Sequence, residues 1–533
     1  MAKRVDEDAI YERVTFNYLY LLNSGDDISP KDIRNDLLNL LSAEIELENA
    51  GLNKADKFRK PKVLPPVIVA LILLHLYNIK RITWGDDEGE LFIYQTSGEK
   101  EGIYINDELV LKGIIAEFSF RANIQFMREV IAYLYVKAPV VQVNSDPDLI
   151  AVNNGIFNYK TKELMAFTPD IIFTSKSAID YNPNAVNVVI HNDDDDTDWD
   201  VESWMNDLSY DQNIVKLLWE LIGAAIRPYV SWEKVACLYS ELGNNGKGTL
   251  CQLIRNVCGS DNVMSMAFDE FSEDFALESL MHMSSIITDE NTTGLYIKAT
   301  AALKAIITND VFMVNRKFKK SVKMRFNGVM IQCINSLPKF GDKSESLYRR
   351  LLIIPFDKSF TGMQRKYIKS DYIQRREVLE YVLYKVLNMN YYEFDIPVRC
   401  QAELDEYKTY NDPIRDFLSE MITEFTWDLV PYSFLYDLYK SWSARNYPNS
   451  TPKNKRSFVN DVKNILLTFR GWKVNTDSVP TRGLMDAHEP LIIQYDLKEW
   501  KSNYKGTDEK KICNFARKSA YKGITRTISN QGA

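Results

Sequence analysis

Apolar residues recur every three or four positions from Pro30 to Ala50, where Ile33, Leu37, Leu38, Leu41 and Ile45 share one face, and this spacing predicts a helix. The run from Val67 to Leu74, followed by His75-Leu76-Tyr77, is too short to span a bilayer and reads as a buried helix opening after Pro65-Pro66. Residues 1–139 are therefore expected to form a mostly helical domain. From 140 to 190 the period shortens. Strands such as Ile156–Tyr159 lie between turn signals at Asn153-Asn154-Gly155 and Asn182-Pro183, which predicts a small α/β segment. Asp193 to Asp196, with Asp198, repel one another, so residues 191–200 are expected to be a solvated acidic linker. Residues 201–231 read as a helical collar. Strand-like and helix-like stretches then alternate through 232–365, the pattern of an α/β core. Residues 366–411 read as a helical connector, and 412–533 as a small α/β or winged-helix-like domain.

The 533 residues suit three or four domains at about 100–200 residues each. With 65 Lys and Arg against 73 Asp and Glu, the net charge of −8 excludes a uniformly basic nucleic-acid coat. The balance is uneven, however. Residues 451–533 hold 16 Lys and Arg against 8 Asp and Glu, a local surplus that points to nucleic acid or to a solvated basic face. The six cysteines form no C-x-x-C pair and only 4 His are present, which argues against a zinc ribbon and suits a reducing, cytoplasmic compartment. Charged residues alternate with apolar ones from Met1 to Val14, unlike a secretory signal, and no membrane association is expected.

The most informative stretch is Lys234–Tyr239, an apolar strand, running into Ser240-Glu241-Leu242-Gly243-Asn244-Asn245-Gly246-Lys247-Gly248-Thr249, with a helix opening after Lys247. Backbone N–H groups of such a turn wrap phosphates, the helix N-terminus adds its positive end, and Lys247 reaches the β- and γ-phosphates of ATP. The strict pattern G-x-x-x-x-G-K-[ST] is not met. Glu241 stands where it has Gly, and Gly248 where it has a hydroxyl, which leaves Thr249 as the nearest hydroxyl for Mg²⁺. A structural glycine turn is the alternative.

Further along, Ser285–Thr288 is an apolar strand ending in Asp289 and Glu290. Beside a phosphate loop, Asp289 can hold Mg²⁺ through water and Glu290 can polarise the attacking water. An apolar strand ending in two carboxylates is also common without any such role. Asn327–Ile334 is a second buried strand, ending at Asn335, a position from which an amide senses the γ-phosphate. Arg349 and Arg350 precede a third, Leu351–Phe356, either as a solvated strand start or as an arginine finger reaching a neighbour's ATP. Between these, Asn315–Arg325 holds six basic residues, no acid and one aromatic. A hairpin there suits single-stranded nucleic acid through Arg316, Lys317, Phe318, Lys319 and Lys320, or is simply solvated.

The order of these elements resembles superfamily 3 helicases, specifically the helicase part of phage and poxvirus primase-helicases. Asn245-Gly246-Lys247 with Thr249 looks like that family's Walker A, and Ile286–Glu290 like its Walker B. Lys304 and Asn309-Asp310 with the 315–325 hairpin resemble its B′ region, although Asn309 stands where Gly is usual. Asn335 is similar to the sensor asparagine and Arg349-Arg350 through Pro355-Phe356 to the arginine-finger segment. The likeness spans about residues 140–480. No primase is visible in the first 190 residues. The resemblance implies an AAA+-like P-loop core with a helical N-terminal region and a winged-helix-like C-terminal domain. It implies a ring, as a hexamer, that hydrolyses ATP with Mg²⁺, translocates on single-stranded DNA and unwinds forked DNA in phage or mobile-element replication, in the host cell cytoplasm beside a separate primase or polymerase. Gly243 to Thr249 would bind ATP, Thr249 and Asp289 the metal, and Glu290, Asn335, Arg349 and Arg350 would carry hydrolysis. The rivals are an initiator that binds and melts an origin without processive unwinding, a P-loop nucleotide kinase, and an inactive structural ring.

Overall fold

The structure is a computed structural model, and it describes residues 6–22, 29–50, 52–84, 88–119, 122–317, 320–362, 365–447, 451–513 and 518–527. The chain divides into two compact units, residues 1–338 with 349–397 and residues 339–348 with 398–533.

In the first unit the helix Pro30–Asn49 forms as its periodicity predicts, burying Ile33, Leu37, Leu41 and Ile45, with Pro30 in its first turn and the Ser29 side chain accepting a bond from the Asp32 N–H. It packs with Pro66–Leu76, Glu108–Phe118 and Ile124–Lys137 around Ile68, Ile72, Leu111 and Leu134. Threaded among these helices is a four-stranded sheet in the order Tyr104–Ile105, Glu90–Tyr94, Ile79–Thr83, Val140–Gln142. A helical reading of this region misses it because the strands are 2 to 5 residues long, and Lys80 and Arg81 interrupt the apolar run of Ile79–Thr83.

Residues 149–165 fold as a three-stranded antiparallel meander, as the turn signals indicate. The acidic run is not a linker. Ile190–Asn192 and Thr197–Trp199 pair as a hairpin whose turn carries the aspartates outward, so they are solvated as expected but on a fixed element.

The centre of the first unit is a five-stranded parallel sheet. Its strands are β1 (Val235–Tyr239), β2 (Val263–Met264), β3 (Ser285–Thr288), β4 (Val329–Ile334) and β5 (Leu351–Pro355). They lie in the order β5-β1-β4-β3-β2. Strands β3, β4 and β5 are buried along their whole length, as a parallel sheet covered on both faces requires. The chain leaves β1 for β2, three places away, so β1 is flanked by strands that come late in the sequence. Loops leaving the carboxyl ends of β1 and its neighbours thus open a crevice at the reversal of strand order, the usual ligand position in open α/β sheets.

The second unit holds the helices Val398–Asn411, Pro413–Met421, Tyr432–Asn446 and Lys455–Leu466, with a three-stranded antiparallel sheet in the order Leu429–Pro431, Gly523–Arg526, Trp472–Val474. Its core is strongly aromatic, built on Phe417, Trp427, Phe434, Trp442 and Phe458. No helix among the described residues is long and apolar enough to cross a membrane.

Candidate nucleotide site and basic hairpin

Strand β1 ends at Tyr239, and the chain turns through Asn244, with φ 56°, and Gly246, with φ 86°, into helix α1 (Lys247–Cys258). Glycine is needed at 246. Its φ is left-handed, and a Cβ there would stand 2.5 Å from the Leu208 side chain. Asn245 is buried and braces the turn: its amide donates to the Leu242 carbonyl at 2.6 Å and accepts from the Lys247 N–H at 3.4 Å. From outside, the Phe360 N–H donates to the Asn244 carbonyl at 2.7 Å.

Lys247 is 6% exposed. Its ammonium donates to the carbonyls of Ser240 and Ile334, both at 3.2 Å, and to Oδ1 of Asn335 at 2.9 Å. Asn335 itself remains exposed. Two residues 88 positions apart, one opening a helix and one following a strand, therefore touch at the mouth of the loop. All three acceptors are neutral, so burial pushes the Lys247 pKa down. A cation held this way is available to an anion.

Asp289 and Glu290 follow β3 and are both exposed. Asp289 is not free: Arg255, two turns along α1 from Lys247, donates to both of its carboxylate oxygens at 2.9 Å and to the Ile287 carbonyl at 2.8 Å. Glu290 has no ion pair among the described residues. The carboxylates sit on a clamped strand end. Thr288 exchanges hydrogen bonds with the Met266 backbone, and Asn291 donates to Gln332 at 2.9 Å and to the Cys333 carbonyl at 3.0 Å. Arg255, Asn291 and Gln332 escaped the sequence reading. The one available signal was a lone Arg on a helix whose inward face is apolar. Beneath the loop, the thiols of Cys251 and Cys333 lie 3.4 Å apart, and with Asp289 they make the one group with metal-ligand spacing among the described residues.

The basic stretch forms the predicted hairpin, Val311–Val314 pairing with Val322–Arg325. Asn309 explains its own departure from glycine. Its φ is 52°, a left-handed value that asparagine tolerates, and its side chain donates to the Phe326 carbonyl at 2.6 Å. Arg316 does not face solvent. Its guanidinium, 12% exposed, is bound by Glu90 at 2.8 Å and Glu278 at 3.5 Å. Lys317 and Lys320 are exposed, while Phe318 and Lys319 lie outside the described residues. Of the arginine pair, Arg349 is exposed and Arg350 is buried.

Matches to known families fall on both sides of this site and across it. Residues 69–209 match a family described as D5 N terminal like, and residues 409–490 one described as Poxvirus D5 protein-like. Residues 238–350, the stretch from the phosphate loop to the arginine pair, match a family of unknown function, DUF5906. The chain is thus similar to D5-like proteins, and the resemblance to phage and poxvirus primase-helicases carried by the motif order holds. No curated protein matches it. Among solved structures it is similar to the apo C-terminal region (305–718) of NrS-1, with 13% identity and a TM-score of 0.43, covering 79% of this chain and 97% of that one. It is also similar to an A-form apo structure of the NrS-1 C-terminal region, again with 13% identity and a TM-score of 0.43, covering 87% and 100%.

Proposed function

We propose that this chain is an ATP-driven DNA helicase of a D5-like replication system, with an AAA+-like core that works as a ring. The observation that carries the reading is the bond from Lys247 to Asn335 at the carboxyl ends of adjacent strands, beside a glycine-bearing loop that opens a helix. The strand order β5-β1-β4-β3-β2 supports it by opening the crevice at β1.

The residues fit a nucleoside triphosphate with Mg²⁺. A buried ammonium among neutral acceptors, at a helix N-terminus, suits phosphate oxygens. Thr249 and Asp289 offer the hard oxygen ligands that Mg²⁺ prefers. Mg²⁺ held by these residues would offset the charge of the phosphates. Lys247 holds the phosphates against the loop. Asn335, positioned by Lys247, presents its exposed amide to the γ-phosphate. Asp289, whose carboxylate Arg255 orients through both oxygens, would help hold the metal. Glu290 accepts the proton of the attacking water.

An arginine finger in trans falls to exposed Arg349 rather than to buried Arg350. Asp289 and Glu290 follow β3 while the Arg pair precedes β5, so carboxylates and arginines leave opposite ends of parallel strands. This polarity suits a closed ring in which one subunit's Arg meets its neighbour's nucleotide. The hairpin's exposed Lys317 and Lys320, with Phe318 and Lys319, would grip single-stranded DNA, and Arg316 would anchor the hairpin.

Strand displacement on 3′- and 5′-tailed duplexes, with and without ATP, tests the reading. ATP-dependent displacement from one tail polarity is expected. ATP turnover without displacement on either substrate would favour the second reading, an origin-melting initiator. The basic surplus of residues 451–533, on a unit of helices and a three-stranded sheet that suits a winged helix, supports that alternative.

A further inference from the structure

After β5 the chain does not leave the nucleotide loop. Residues 356–362 return to it, tied by the bond from Phe360 to Asn244, and the short helix Lys366–Ser370 lies nearby. That helix brings Lys369 over the opening of α1. A Cβ built on Gly248 would lie 3.7 Å from the Lys369 ammonium and within 4 Å of nothing else outside its own helix and chain neighbours. Three positive features thus lie at the opening of α1: the Lys247 ammonium, the positive end of the helix, and the Lys369 ammonium.

Nearby carboxylates do not balance them. Asp371 is held by Arg375 at 2.7 Å, Asp195 accepts from Tyr367 at 2.6 Å with Arg365 at 3.8 Å, and Asp207 faces Lys358 at 3.9 Å. Lys369 itself has no ion pair among the described residues. The Lys369 side chain is exposed, yet its ammonium lies over Gly248 at the opening of α1. Gly248 leaves the approach open, since a hydroxyl-bearing side chain there would point at the ammonium.

We propose that Lys369 is a second cationic ligand for the phosphate chain of the bound nucleoside triphosphate, reaching it from the β5 side while Lys247 reaches it from the loop. This rests on reading residues 240–249 as a phosphate loop. It also accounts for Gly248: the space a Walker-type hydroxyl would fill is left to a lysine from another element.

The test is calorimetric titration of the full chain with ATP and, separately, with inorganic tripolyphosphate, which lacks base and sugar. Lys369→Ala and Lys369→Met are each expected to weaken both ligands about tenfold, the scale of one charge-assisted hydrogen bond, and Lys369→Arg to stay within about twofold of wild type. In turnover the loss should appear in KM more than in kcat. Unchanged affinity in the Ala and Met variants overturns the inference. So does a loss in Ala that Met restores, which would assign the effect to the apolar stem. Lys247→Ala separates the two levels. If it abolishes binding while the Lys369 variants bind normally, only this inference falls; if wild type binds neither ligand, the phosphate-loop reading falls and takes the inference with it.

Discussion

Lys247, buried, and Arg316, mostly buried, are cations of the first unit that the protein treats in opposite ways. Lys247 is surrounded by two carbonyls and an amide oxygen and meets no carboxylate among the described residues. Arg316 is neutralised on the spot by Glu90 and Glu278, and Lys317 adds a backbone bond to Glu278 at 3.3 Å. A cation given only neutral partners keeps its charge for a ligand. One given carboxylates has been used by the fold. On the proposed reading the nucleotide corner keeps its charge for an anion, whereas the hairpin's connecting loop is pinned at Arg316.

The largest effect that would break this contrast lies at the arginine pair. Arg349→Ala is expected to bind ATP normally and hydrolyse it about 10³-fold more slowly, the low end of finger precedents. Arg350→Ala should instead lower stability, because its side chain is buried. Mixing Arg349→Ala with Lys247→Ala subunits should restore some turnover, since a sound loop then meets a sound arginine at some interfaces. Recovery failing in confirmed mixed rings would make Arg349 a residue that acts within its own subunit.

Next in size is Glu290→Gln, expected to retain ATP binding and lose about 10²–10⁴-fold in turnover, because the amide cannot take a proton. Pre-steady-state measurement of bound ATP against released phosphate checks it. Smaller is the effect of replacing both Lys317 and Lys320 by Ala. The slope of log affinity for single-stranded DNA against log salt should flatten by roughly 0.7 per lost phosphate contact. Arg316→Ala, by contrast, should lower stability and leave that slope nearly unchanged.

The smallest effect is acid stability at the hairpin's anchor. Neighbouring His282 first, and Arg316 with it, hold the Glu90 carboxyl down to about 2 from 4.5, against burial. A depressed folded-state value means the contribution is fully present above about pH 4.5 and is lost as pH falls towards 2. Thermal unfolding of Glu90→Gln should therefore fall less steeply than wild type across that window, and start lower at neutral pH.

The contrast also explains what was legible in the sequence. Strand ends fix backbone direction, so an apolar run followed by Asp289 or Asn335, or by a glycine turn leading to Lys247, places these residues beyond the carboxyl ends of the parallel strands. A charge run carries no such constraint. Nothing local to Asn315–Arg325 says that Arg316 turns towards Glu90, 226 positions away, while its neighbours face water. Arg255 and Lys369 were missed for the same reason: each acts through an element that is remote in sequence and adjacent in space. The N-terminal sheet was missed because short strands interrupted by Lys and Arg leave no apolar period to read.

The central claim, that the Lys247–Asn335 corner binds and spends ATP, is tested most directly by steady-state ATP hydrolysis of wild type and Lys247→Ala, each with and without single-stranded DNA. Wild type is expected to hydrolyse ATP, faster with DNA, and the folded variant to fall by at least about 10²-fold under both conditions, as when a pre-organised charge at a transition state is removed. A folded Lys247→Ala protein with unchanged turnover would contradict the account.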